Sequence, residues 1–97
     1  MATIEQRIYN GDRAKEVLEN EAFDQAFTDL KTEIIEQWTN SPARDEAGRE
    51  KLYQLLRLAD KLKANLVTSL ETGKMARLDL EHQESMLSKA KRVVGLT

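Results

Sequence analysis

"SLETGKMARL", residues 69–78, decides the fold, because two apolar rows meet there on different sides of the chain. Upstream, Leu52, Leu55, Ala59, Leu62 and Leu66 alternate spacings of three and four, a heptad-like seam widened by Leu56, Val67 and Leu70. Downstream, Met75, Leu78, His82, Met86, Ala90 and Val93 form a second row. Helical positions advance by about 100° per residue, so one helix carried through Gly73 would set the two rows on opposite faces. A turn at "ETGK", with Gly73 as the left-handed residue after a helix end, would bring both onto one core. The expectation is a break at Gly73.

The first half poses the same problem. Phe23, Phe27, Leu30, Ile34 and Trp38 recur at spacings of four, three, four and four, while Ala14, Val17 and Leu18 cluster on nearly the opposite side. A break near Asn20 resolves this, since Asn is a good N-cap for the helix that continues "EAFDQAFTDLKTEIIEQW". Asp12 would cap the short segment before it. Thr3 and Gln6 have capping-box spacing ahead of Ile8, yet "IEQRIY" (4–9) is short enough to be helix, strand or neither. "NG" at 10–11 is expected to end it, and with no matching second strand a hairpin is not expected.

Between the halves lies "NSPARDEAGREKL" (40–52), with the chain's single proline. Ser41 can cap with Pro42 at the first helical position, or Asp45 can cap with Glu46 next. Gly48 then falls in the first turn, where its propensity cost is least damaging. These residues read as a helix corner first and as a charged contact site second. At the far end Lys89, Lys91 and Arg92 suit the negative pole of a helix, and Gly95 follows as its stop.

The expected architecture is all-α and a single domain over 1–97. It has three main helices near 20–38, 45–72 and 74–94, packed as a small bundle or helical hairpin after a short N-terminal arm (1–19). Ninety-seven residues with 40% hydrophobic content and few aromatics (Tyr9, Phe23, Phe27, Trp38, Tyr53) make a thin core of aliphatic side chains. Such a core suggests a partner chain, and the Leu52–Leu66 seam is the candidate oligomer contact.

Cysteine is absent, which removes disulfides, thiolate chemistry and Cys-based zinc sites. No apolar run approaches the roughly 20 residues of a membrane span, and "MATIEQRIYNGD" lacks a secretory core. The reading is a soluble cytosolic protein that does not enter the membrane. Residues 1–40 carry four Lys/Arg against nine Asp/Glu, and residues 41–97 eleven against eight. Opposite balances suit antiparallel pairing within the chain or an acidic-to-basic contact between chains.

Little in the sequence points to catalysis. His82 is the single histidine, with Asp79, Glu81 and Glu84 nearby, but its place in the apolar row makes it a packed core residue first. Glu16/Glu19 and Glu33/Glu36 have the three-residue spacing of metal-binding bundles, but they sit among other charges as solvated faces do. The glycines are isolated, and "TGK" lacks the strand and glycine of a phosphate loop. A non-enzyme without metal or cofactor is expected. Arg57 and Lys61, opposite the seam, are candidate nucleic-acid or partner contacts, with Arg44 and Arg49 at the corner. An acidic sequence pI of about 5.4 and the lack of aromatics among the basic residues weigh against DNA.

The segments "NEAF" (20–23), "SPARDEAGREKL" (41–52) and "LETGKMA" (70–76) resemble small, mostly uncharacterised α-helical proteins of tailed bacteriophages and prophages, over about residues 20 to 78. The resemblance implies a phage origin and a helical chain, and carries over no functional residue. It places the protein in the bacterial host cytoplasm or with the virion. With that origin, the first expectation is a structural or assembly module, homo-oligomeric, that binds virion or genome-packaging components. The alternatives are a DNA-associated subunit like a small packaging terminase, and a phage inhibitor of a host protein acting through the acidic face of residues 12–36.

Overall fold

The computed structural model describes residues 2–93 and 95. Among these residues the chain is helical, with no strand: α1 spans Ile4–Leu18, α2 Glu21–Asn40 and α3 Glu46–Val93. The main prediction of an all-α chain holds. Its arrangement is an open helical hairpin in which α1 and α2, nearly end to end, both run antiparallel to one long α3. They pack against α3 and hardly against each other. The result is a rod of 77 × 25 × 15 Å.

Each helix start carries the cap its sequence offers. Thr3 Oγ1 accepts from the Gln6 amide at 3.1 Å while the Thr3 amide donates to Gln6 Oε1 at 3.0 Å, the reciprocal capping box. Asn20 Oδ1 accepts from the Phe23 amide at 2.9 Å, so the expected break there is present. Asp45 Oδ1 accepts from the Gly48 amide at 3.1 Å, which settles the corner in favour of Asp45. Gly95 adopts φ +72°, the left-handed stop expected of it. Residue 94, the expected last residue of the final helix, lies outside the described residues.

The expected break at Gly73 is absent. α3 passes through it unbroken for 48 residues, about 72 Å at helical rise. Nor does "NG" at 10–11 end a segment: α1 continues through Gly11, and Asp12 is interior to it rather than a cap. One observation explains both corrections. A Cβ added to Gly73 would lie 2.8 Å from the Gly11 Cα and 3.0 Å from the Arg7 carbonyl oxygen; one added to Gly11 would lie 2.8 Å from the Gly73 Cα and 3.0 Å from the Ser69 carbonyl oxygen. The glycines face each other where two helix backbones touch. Their role is to remove side chains, not to turn the chain. One turn onward, Ala14 and Ala76 are buried at 4% and 3% exposure. Across this crossing Arg77 Nη2 donates to both Asp12 carboxylate oxygens, at 3.2 and 3.1 Å.

Residues Leu52, Ala59, Leu66, Gly73 and Leu80 stand seven apart and are all buried or half-buried. This single row serves both partners of α3, and its 3.5-residue period explains why the contact side stays constant through Gly73. Against α2 the row meets Phe27 and Ile34, each 7% exposed. The Phe23 and Phe27 rings stack at 6.0 Å, and Lys63 and Lys31 lie over Phe27 at 5.1 and 5.8 Å. Lys31 also pairs with Asp60 at 2.8 Å. The buried apolar set is small: Ala14, Phe27, Ile34, Ala59 and Ala76.

The accessible surface is 7811 Å². A compact monomer of 11.1 kDa is expected to expose about 5,700 Å². The excess, roughly 2,100 Å² on that scaling, follows from the rod shape and carries many apolar side chains.

Candidate interaction surfaces

The corner uses its charges internally. Arg49 lies over the Trp38 ring at 3.8 Å, and its Nη1 donates to the Trp38 carbonyl (3.1 Å), the Ser41 carbonyl (3.3 Å) and Ser41 Oγ (2.8 Å). A cation from the start of α3 thus adds a charged donor to carbonyls at the end of α2, where the Trp38 carbonyl also accepts from the Ser41 amide and hydroxyl. Of the two corner arginines proposed as contacts, Arg49 is half-buried and engaged within the chain, while Arg44 is exposed at the turn.

Arg57 and Lys61 are exposed on α3, one turn apart, and line a shallow groove with Gln54, Leu58, Asp60 and Ala64. They face away from the α2 contact, as expected. The structure does not bring them into one cluster with Arg49, which points back into the corner.

The Leu52–Leu66 seam divides. Ala59 is buried and Leu52 and Leu66 are half-buried along the contact side, so these three are occupied within the chain. Leu55 and Leu62 remain 51% and 54% exposed. Together with Leu30 and Leu58 they edge a groove floored by Ile34 and Ala59. Leu58 was not part of the seam read from sequence. The signal was the spacing 55, 58, 62, a second three-four row beside the first. On the opposite flank Ile35, Trp38 and Tyr53 border a smaller apolar recess.

His82 is exposed, not packed in a core. With α3 unbroken, its whole row turns to the far side of α3 from α1. Met75, Leu78, Met86 and Val93 are 68%, 61%, 53% and 86% exposed. The groove beside them is lined by Val67, Thr72, Met75, Leu78 and His82, with Arg7 of α1 at its edge. No set of three or more His, Asp or Glu side chains converges on a common point among the described residues, and Glu16, Glu19, Glu33 and Glu36 are all exposed. No helix among them is long and apolar enough to cross a membrane.

Comparison with known proteins found no matching family, no matching curated protein and no matching solved structure.

Proposed function

We propose that this chain is a non-enzymatic structural or assembly protein of a phage, a homo-oligomeric helical module that binds virion or packaging components. The observation that supports this reading most is the leucine groove of Leu30, Leu55, Leu58 and Leu62. It is an apolar strip between two helices, left half-exposed by the chain itself. The stiff α3 rod adds reach, holding contact surfaces tens of ångströms apart at fixed spacing. The test is deletion of the reading frame from the phage or prophage that carries it, with particles examined by electron microscopy. Incomplete heads, tails or unfilled capsids are expected. A normal yield of complete, infectious particles contradicts the reading.

The shared groove of Arg57 and Lys61 favours a second reading, a DNA-associated packaging subunit that grips phosphates through the outer face of α3. Fluorescence anisotropy on duplex DNA over a salt series separates the two. A DNA-gripping subunit binds at low salt and loses affinity on charge reversal at Arg57 and Lys61, while an assembly module without DNA contact gives no salt-dependent signal.

A further inference from the structure

We infer that two copies of this chain pair antiparallel through the outward row of α3, Met75, Leu78, His82, Met86, Ala90 and Val93, in a register centred on the level of Glu84. The inference deepens the assembly reading by naming one partner, a second copy, and the surface it uses.

Three observations carry it. First, the row is self-complementary. Its spacings are three, four, four, four and three, the same in either direction. An antiparallel copy centred at residue 84 therefore sets Met75 level with Val93, Leu78 with Ala90 and His82 with Met86, so no row residue meets a gap. At the same register Asp79 stands level with Lys89, unlike charges, and Glu84 itself lies on the other side of the helix, away from the contact. An isologous two-fold contact needs this kind of self-matching patch.

Second, the chain does not cover this part of itself. α1 begins at Ile4 and, from the Gly11–Gly73 crossing, reaches only to about Leu80. Residues 81–93 continue as bare helix with every side chain exposed. In the proposed register, residues 75–93 of each copy lie against the same span of the other. Each copy thereby covers the outward row of the other's overhang.

Third, there is surface to remove. Against the excess of roughly 2,100 Å² over a compact monomer, a standard interface takes about 800 Å² from each partner. The pairing also leaves the leucine groove and the Arg57–Lys61 face open, because both lie outside the overlap.

The geometry predicts a long dimer. Overlapping two 77 Å rods by 19 residues gives a particle about 125 Å long. Light scattering with small-angle X-ray scattering should therefore return twice the chain mass and that length. Because the chain has no cysteine, single variants Leu78→Cys and Ala90→Cys test the register. Mixed in equal amounts and oxidised, they should cross-link to each other. Neither alone should self-link, since like positions sit about 18 Å apart along the axis, beyond disulfide reach. Leu78→Glu with Met86→Glu, checked for retained helicity by circular dichroism, should raise the dissociation constant on the order of 100-fold or more.

A chain that stays monomeric at high concentration overturns both this inference and the self-assembling part of the assembly reading. Self-linking of either single variant overturns the antiparallel register. A dimer that survives Leu78→Glu/Met86→Glu overturns this surface and leaves the assembly reading standing, with the leucine groove as the contact.

Discussion

Two stretches of α3 solve the same packing problem with opposite side chains. Near Gly73 the partner helix α1 is held at backbone contact, with Gly11 and Gly73 facing each other and Ala14 and Ala76 buried beside them. Near Ala59 the partner helix α2 meets α3 through Phe27 and Ile34, with leucines on the flank half-exposed. One heptad row runs through both. Small residues along it permit close approach, down to contact between the two backbones. Large residues hold the helices apart and leave an apolar strip for something else to fill. Along the contact side of α3, the small-residue crossing is thus closed, and the large-residue stretch keeps an apolar strip open between its two helices.

The largest expected effect lies at the large-residue stretch. Phe27→Ala removes the most enclosed aromatic ring and should cost about 3 kcal/mol in urea denaturation. Amide exchange should accelerate more in α2 than in α1. Equal acceleration in both would show that the two stretches do not pack separately.

The glycine crossing comes next, with a sign that separates close packing from simple propensity. In an exposed helix interior Gly→Ala gains up to about 1 kcal/mol. Here Gly11→Ala or Gly73→Ala should instead destabilise by about 1–3 kcal/mol, because each methyl meets backbone. The double variant should cost less than the sum, since the first methyl already separates the helices. A rise in melting temperature for either single variant would remove the close approach.

The smallest effect is the Asp12–Arg77 pair across the same crossing. Both side chains are about half-exposed, 52% and 53%. A double-mutant cycle with Asp12→Asn and Arg77→Gln should give about 0.2–1 kcal/mol at low salt and nearly nothing at 1 M salt. A coupling that ignores salt would mean that packing, not charge, joins these residues.

The sequence shows these regions unequally. Asn20, Asp45, Thr3 with Gln6, and Gly95 each have a side chain or backbone preference that acts locally, and each sits where its chemistry places it. Arg49 within its corner was also foreseeable, because a cation beside a helix end has carbonyls to satisfy. Gly11 and Gly73 were not. A glycine marks either a turn or a close approach, and the choice depends on a neighbour more than 60 residues away. Two apolar rows on different sides require a turn only if both are buried, and the second is exposed. The seven-residue spacing from Leu52 to Leu80 was the available sign of continuity, and the exposed row of Met75 to Val93, His82 included, is the consequence of it. Which leucines remain open could not be read from one strand of pattern, because it depends on where α2 rests between two rows of α3.

Everything in this architecture depends on α3 crossing Gly73 without a break. Spin labels at Lys61→Cys and Lys89→Cys, diluted with unlabelled chain so that only distances within one molecule count, measure this directly by pulsed electron resonance. An unbroken helix gives a separation of about 42 Å. A turn at Gly73 would fold the labels to within about 20 Å of each other, the spacing of packed antiparallel helices plus a small offset, and would contradict the rod.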